Sequence, residues 1–440
     1  MVYIRQIFNL ITMKQFISNV ARNLLLLSAF SFLLLFAGCN PDCCNRTLIT
    51  SDTPAVSLPG DGGDEVITIT GSINWKVVSH PYWVTVTPSK GTGTMEVTIS
   101  VQENNTNKSR SGEVVIVADN GDKLVIPVSQ PKAPKVYIAG TYYEVRHQVP
   151  FGYSLWLNGV LQPSLPLSTP MLTGINSIFV TKANEIYIAG SYDPYGDGEG
   201  NAAMLYEHGF GTALSTGSGT FVSSIYVANG NTYVAGSNGP PTLWINGTPL
   251  SLSARYGMAR AVSVTETGVS YVVGELYDYE KYRYIAFLWE GETEYMLSTY
   301  SGSVSSVFVG KDGSVYAAGE ETDEEWKTFA TIWVDKVPQT LEADIYSYAS
   351  SIFVDEKNSI YVAGVNNGVA TLWINGKAQT LNTENSSASS VYVTKEGTIY
   401  VTGLIGDYPY GIPVYWKNGT MYVLDPNSYC IGAPILFVVE

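Results

Sequence analysis

Histidine and cysteine are scarce in this chain, three and four among 440 residues. That excludes a Cys/His-rich metal protein and a disulfide scaffold. Charge is sparse as well, 14% of residues against roughly 25% in ordinary soluble proteins. What charge there is leans acidic, 24 Lys and Arg against 39 Asp and Glu, for a net −15. The chain therefore lacks the basic face that neutralises phosphates, and no nucleic-acid partner is expected. Helical periodicity of useful length is missing too. In its place stand 31 Tyr and 42 Gly in a sequence that is 45% hydrophobic. Such a composition favours strands and turns around a sizeable core, and the length allows two to four domains.

Residues 1–38 carry Arg5, Lys14 and Arg22 and no acidic residue, followed by an apolar run from Leu24 to Gly38. The run is short of the roughly 20 residues that span a bilayer, and its basic start and small-residue end describe an export signal. Phe36-Ala37-Gly38-Cys39 resembles the lipobox of bacterial lipoproteins, with Phe36 where leucine is usual. The resemblance implies that Cys39 is the lipidated first residue of a mature chain anchored in the outer membrane, with the side of that membrane left open. Residues 39–55 are polar and contain proline, which predicts a flexible tether. Cys43 and Cys44 are neighbours within it, cannot pair without strain, and are read as incidental thiols.

Between 56 and 130 short segments alternate apolar and polar residues: EVITIT, INWKVVS, YWVTVT, MEVTISV, GEVVIVA and KLVIPVS, separated by turn clusters. This pattern predicts a small antiparallel, Ig-like β-sandwich. Trp75, the Pro81-Tyr82-Trp83-Val84 strand start, Pro88 with Gly91 and Gly93, Asn104-Asn105, Arg110-Ser111-Gly112 and Gln130 stand at spacings that resemble the BACON domain of Bacteroidetes proteins. The family name implies carbohydrate binding; a spacer that lifts the next domain off the membrane is the other reading. Trp75 and Trp83 are expected in the core.

After a stiff linker at 131–134 the sequence repeats itself from 135 to 440. An apolar run ending in glycine recurs at Gly140, Gly190, Gly236, Gly274, Gly319, Gly364 and Gly403, a period of about 44 residues, which is the signature of a β-propeller. A segment of the SSIFV type precedes six of the seven runs, and an LW-x-x-G segment or its variant follows all seven. The missing copy is supplied at the far end by Pro434–Val439, so the C-terminal strand is expected to close the first of seven blades and leave no bare sheet edge. Short Leu-containing segments (LPLS, ALST, LSLS, YMLS, QTLE, QTLN, YVLD) are assigned as fourth strands. The fold class is thus all-β, a sandwich followed by a seven-bladed propeller.

Residues that repeat once per blade serve the scaffold. Trp156, Trp244, Trp289, Trp333, Trp373 and Trp416, with Tyr206 in the remaining copy, are read as inter-blade packing. Ser177, Ser224, Ser306, Ser351 and Ser390 are read as strand-edge hydrogen-bonding groups, with channel lining as the alternative. The glycine that ends each run is expected to allow a tight exit into the next loop. Residues off the pattern point to function instead. The connections that follow these glycines differ in length, and the long ones combine tyrosine with acids. They contribute Tyr142 and Tyr143, Tyr192 and Tyr195, Tyr277, Tyr279, Tyr282 and Tyr284, Trp326, and Tyr408 and Tyr410. Large aromatics on exposed connections are costly unless they bind a ligand or one another, and flat rings beside carboxylates suit sugars. Asp193, Asp197 and Glu199 offer oxygen ligands but not a full calcium loop, so no metal is assigned. His147, His208 and His80 stand alone, and no Ser-His-Asp set or H-E-x-x-H motif is present.

The expectation is a lipid-anchored envelope protein, non-catalytic and without cofactor, that binds glycans or glycoconjugates on a tyrosine-rich propeller face. A protein–protein scaffold is the alternative, and a glycan hydrolase or lyase with catalytic residues on separate blades is the third reading.

Overall fold

The computed structural model describes residues 49–440, apart from 107, 145–148, 163–171, 193–201, 216–218, 407–409, 426–428 and 432–433. The N-terminal unit is a sandwich of two sheets. One holds Thr50–Ser51, Gly63–Thr70, Met95–Val101 and Val84–Thr87 in that order. The other holds Val56–Ser57, Lys123–Gln130, Arg110–Ala118, Asn74–Ser79 and Lys90–Thr92. Alternation decides which side chains enter: Ile67 and Ile69 from one strand and Val97 and Ile99 from its partner are fully buried between exposed neighbours. Trp75 and Trp83 are core residues. The Trp75 indole donates to the Gly93 carbonyl at 3.2 Å, and a Cβ on Gly91 would stand 2.4 Å from the same ring. The two glycines of the sequence motif are therefore the bed of that tryptophan.

The second unit is the propeller. Five blades are separate four-stranded sheets. Their innermost strands are Leu172–Val180 in blade 2, Phe221–Ala228 in blade 3, Gly257–Val264 in blade 4, Ser301–Val309 in blade 5 and Ser347–Val354 in blade 6. Blades 1 and 7 share one nine-stranded sheet. In blade 1 the strand Ile435–Val439 pairs antiparallel with Lys135–Glu144, in register from Lys135↔Val439 to Ala139↔Ile435, so the C-terminal strand closes the first blade as expected. Blade 7 begins at Ser386–Val393. An extra strand, Tyr429–Ile431, pairs with Tyr142 and Tyr143 of blade 1 and with Tyr410 and Gly411 of blade 7, and stitches the two together.

Local chemistry repeats with the blades. The third and fourth strands are joined by tight turns in which Asn158-Gly159, Asn246-Gly247, Asn375-Gly376 and Asn418-Gly419 have positive φ at both residues, the type I′ geometry whose twist matches a hairpin. Each of these asparagines also accepts a hydrogen bond from the first residues of the second strand, at 2.8–2.9 Å. The fourth strands of blades 3 to 7 start directly after the hairpin turns, at Thr248, Thr293, Val337, Lys377 and Thr420. They lie a few residues ahead of the expected segments. The leucine of those segments, Leu252, Leu297, Leu341, Leu381 or Leu424, sits at the strand exit, and its N–H bonds the third strand. Burial of that side chain, full for Leu252, Leu297 and Leu341 and partial for Leu381 and Leu424, is what the Leu pattern reports.

The repeated indoles form the blade seams. All six are at most 1% exposed, and Tyr206 is 4%. Trp289 of blade 4 packs with Tyr233, Leu243 and Leu252 of blade 3. The Trp333 and Trp373 N–H groups donate to carbonyls of the preceding blade, Leu297 at 3.2 Å and Glu342 at 2.8 Å. The serines also act between blades. Ser177, Ser224, Ser306 and Ser351 accept from the N–H of Ile225, Val262, Ile352 and Val391 on the next innermost strand, at 3.1–3.4 Å. Two residues after each serine stands the inner collar: Phe179, Tyr226, Phe308, Phe353 and Tyr392, completed by Phe437 from the closing strand.

The run-ending glycines are not exit points. The second strands of blades 4, 5 and 6 continue past them to Asp278, Thr322 and Asn366. The innermost strands of blades 2 to 7 carry a bulge opposite, for example between Val304 and Ser306. The bulge drives a carbonyl onto the glycine, so that a Cβ on Gly236, Gly274, Gly319 or Gly364 would lie 2.0–2.1 Å from backbone oxygen. Glycine is required there for close approach of two strands.

Candidate functional site

Blade 4 departs from the repeat at several positions. The bulge residue is Asn176, Ser223, Ser305, Ser350 or Ser389 in other blades and Arg260 here. The inter-blade serine is replaced by Ala261 and the collar aromatic by Ser263. Arg260 reaches Glu275, which follows the run-ending Gly274. Its Nη2 donates to Oε1 at 2.6 Å and its Nε to the same oxygen at 2.9 Å. The Glu275 side chain is 5% exposed, that of Arg260 44%. Arginine supplies the paired donors a buried carboxylate needs.

Blade 5 has Glu320 at the position of Glu275, and Ser303 Oγ donates to it at 3.3 Å. Burial holds the Glu320 carboxyl above its ordinary range; the Ser303 hydrogen bond opposes this and the charge of Glu275 adds to it. Burial likewise raises Glu321. Tyr348 of blade 6 is raised first by burial and then by the charge of Glu320. Glu275, Glu320 and Tyr348 thus form an electrostatically coupled row across three consecutive blades.

The aromatics surround this row. The second and third strands of blade 4 form an extended hairpin in which Tyr277 and Tyr284 are direct cross-strand partners. Their rings stand 5.0 Å apart, and Tyr279 from the turn meets Tyr277 edge-on at 4.9 Å. The turn is held by Asp278, whose carboxylate accepts from the Glu280 and Lys281 N–H groups. Tyr279 and Tyr282 remain 65% and 79% exposed. The Tyr284 hydroxyl is raised by burial first, with Tyr256, Glu275 and Tyr277 adding and Arg260 opposing. That set of neighbours ties the hairpin to the ion pair. The Arg283 guanidinium lies 3.9 Å over the Tyr300 ring, and Tyr300 meets Trp326 of blade 5 edge-on at 6.1 Å. Trp326 is 66% exposed, as is Tyr346 beside blade 6.

Of the residues expected from sequence, Tyr277, Tyr279, Tyr282, Tyr284 and Trp326 therefore belong to one face of blades 4 and 5. In blades 4 and 5 the long connections are partly strand, to Asp278 and from Arg283 in one and to Thr322 and from Thr328 in the other, because β-pairing continues the hairpin outward until the turn residues intervene. Tyr192 is not part of this group; it is half-buried and donates to the Ser215 carbonyl of its own blade at 3.2 Å. For Tyr142, Tyr143 and Tyr410 the backbone pairing alone is described. Cys39, Tyr195 and Tyr408 lie outside the described residues, as do Asp193, Asp197 and Glu199. Among the described residues no cluster of three His, Cys, Asp or Glu could hold a metal, and no helix is long and apolar enough to cross a membrane. Sequence reasoning missed Arg260, Glu275, Glu320 and the second group of aromatics. That group has a plain signal: Tyr256, Tyr300 and Tyr346 each stand directly before the innermost strand of blades 4, 5 and 6.

Comparison with known proteins agrees with the first unit. Residues 74–131 match the BACON family, described as "Putative binding domain, N-terminal". No curated protein matches the chain. Among solved structures, a GH5 xyloglucanase from Bacteroides ovatus in complex with a XXXG heptasaccharide is 23% identical, at a TM-score of 0.19, over 20% of this chain and 19% of that one. An auxiliary nutrient binding protein from Bacteroides ovatus is 11% identical over 73% of this chain and 96% of that one, with a TM-score of 0.30. The β-propeller domain of the Trilobed protease from Pyrococcus furiosus is 7% identical over 87% and 98%, with a TM-score of 0.39.

Proposed function

We propose that this BACON-plus-propeller protein is a non-catalytic binding platform whose ligands are glycans, held on the face formed by blades 4 to 6. The observation that carries the reading is the run of exposed rings, Tyr279, Tyr282, Trp326 and Tyr346, on the blades that carry the buried Glu275 and the half-buried Glu320. Rings stack on the apolar faces of pyranoses, and carboxylates accept from their hydroxyls. Arg260 bound to Glu275 fixes one carboxylate in place before a ligand arrives, which limits the ordering cost of binding. The BACON match, a binding family by its description, supports the coarser part of the reading.

A glycan array probed with residues 40–440 tests it. Glycans that bind should lose about tenfold or more in affinity in Tyr279→Ala and in Trp326→Ala, since a stacked aromatic contributes on the order of 1–3 kcal/mol. An empty array, or binding indifferent to both substitutions, would sink the proposal.

We also propose that the protein is held at the outer membrane through lipid on Cys39, so that the platform works at the cell envelope. Cys39→Ala should convert a membrane-associated form into an unprocessed or soluble one; a mutant retained normally on membranes removes the anchor.

A further inference from the structure

The other end of the propeller carries a second feature that the glycan face does not use. In blades 2 to 7 each innermost strand runs from the hairpin face to a short turn at the opposite end, where the second strand begins. Between the turns of blades 5, 6 and 7 lies a cavity of about 570 Å³, within the roughly 300–1,000 Å³ of small-molecule sites. Its floor is one arc of the aromatic collar. Phe308 and Phe353 have ring centres 5.2 Å apart, and Phe353 and Tyr392 4.7 Å, in tilted contact. Phe437, Phe179 and Tyr226 pack among themselves on the other arc. Ser263, the one collar position without a ring, stands between Tyr226 and Phe308.

The rim holds three carboxylates and three ammonium groups, but they are not equally committed. Asp355 accepts from the N–H groups of Lys357 and Ser359, both at 2.8 Å, and from the Tyr361 hydroxyl at 3.3 Å. Glu356 is engaged by Lys311. Glu440 accepts from the Lys395 N–H at 2.9 Å and from the Tyr392 hydroxyl. The acceptors of Asp355 and Glu440 are thus engaged several times over, and Glu356 is engaged once. Each ammonium brings three donors, while Lys311 and Lys395 each face one carboxylate and Lys357 has no ion pair among the described residues. The charges of the rim balance, but the Lys357 ammonium is left with donors to spare, and what the floor has to offer is aromatic surface.

We propose that this cavity is a second binding site, for a small aromatic carboxylate whose ring lies on Phe308, Phe353 and Tyr392 and whose acid group meets Lys357. A neutral ring would leave the Lys357 ammonium unanswered, and a small aliphatic acid would leave the floor uncovered. The site stands apart from the glycan face, at the far end of the same strands.

The test is a titration of the full protein with 2-naphthoate, read by saturation-transfer NMR and calorimetry, with 2-naphthalenemethanol and acetate as the ring-only and acid-only probes. Naphthoate should bind about tenfold more tightly than the alcohol, the size expected for one charge-assisted hydrogen bond, and acetate should give no saturable signal. Lys357→Gln lies on an exposed turn and should weaken naphthoate about tenfold at an unchanged melting temperature. Phe353→Leu keeps an apolar side chain of smaller volume and removes the ring, and should weaken it comparably. Tyr279→Ala should leave it unchanged, so failure of this site and failure of the glycan face read out separately. Naphthoate that binds no better than the alcohol, that is indifferent to Lys357→Gln, or that responds to Tyr279→Ala overturns the proposal.

Discussion

Replacing Gly319 by alanine should damage the propeller far more than its single methyl suggests. The methyl would stand 2.0 Å from the Ser303 carbonyl oxygen and 2.8 Å from the Val304 Cα. Comfortable contact between heavy atoms needs about 3.5 Å, and both obstacles are backbone, so no rotamer can relieve the clash. The innermost strand of blade 5 would have to retreat by more than about 1 Å, the shortfall against that contact distance. It cannot do so freely, because Ser306 on the same strand holds Ile352 of blade 6 at 3.2 Å. Overpacking typically costs about 1–3 kcal/mol, and a clash between two backbones belongs at the top of that range, about 3 kcal/mol. In urea, with a slope of about 3 kcal/mol/M or more for a domain of this size, the midpoint should fall by up to about 1 M. Tryptophan fluorescence reports the transition through the buried seam indoles. The control is Gly313→Ala. That glycine has φ +86° and nothing within 4 Å of its would-be Cβ, so the cost is the left-handed conformation alone, about 1–2 kcal/mol. If Gly313→Ala costs as much as Gly319→Ala, the contact between bulge and glycine is not what makes glycine recur in every blade.

Trp289→Ala, at a fully buried seam position, should lower unfolding free energy by about 3–5 kcal/mol, whereas Tyr279→Ala should change it by less than about 0.5 kcal/mol; equal losses in denaturant melts would make the tyrosine a packing residue. Arg260→Met strands the Glu275 carboxylate and should cost about 1–3 kcal/mol, reduced from the fully buried case because the arginine is half exposed; a double-mutant cycle with Glu275→Gln should recover most of that loss, and strictly additive losses would refute the coupling. Because Glu320 is pushed up by burial, the folded state holds its proton to higher pH than the unfolded state, so its ionisation lowers stability as pH rises through the shifted range. Glu320→Gln should therefore stabilise at pH 7–8 and lose that advantage below about pH 4, near the ordinary carboxylate value; a gain independent of pH in urea midpoints contradicts the assignment. Deleting residues 434–440 removes the inner strand of blade 1 and should abolish cooperative melting of the propeller; a transition matching the intact chain would mean that the ring closes by other contacts.

The ring was legible in the sequence because each blade must solve the same packing problem, and the solutions recur as the indole, the serine and the glycine. The closing strand was legible by subtraction, since one SSIFV-type segment was missing at the start and one was left over at the end. The glycine was found for the wrong reason. A bulge on one strand is defined against its partner, and no period along a single chain displays which carbonyl approaches which Cα. The fourth strands slipped for a similar reason, as a buried leucine at a strand exit carries the same hydrophobic mark as one inside a strand. For the candidate face, hairpin aromatics stood out because they interrupt the repeat. Arg260 interrupts it too, but it lies inside a strand whose neighbours are small, and its importance depends on Glu275 across the pair. Tyr256, Tyr300 and Tyr346 hid in the opposite way, by occupying equivalent positions in three blades only.

The strand that completes blade 1 has a consequence for the order of events in the life of the chain. Lys135–Ala139 must wait for Ile435–Val439, and six other blades are synthesised in between. During that interval the second strand of blade 1 presents an unpaired, strongly apolar edge, the kind of surface that templates strand addition from other molecules. Folding that depends on contacts so distant in sequence is slow. Any folding of the ring blade by blade therefore leaves Val136-Tyr137-Ile138 without its partner strand until the last residues arrive.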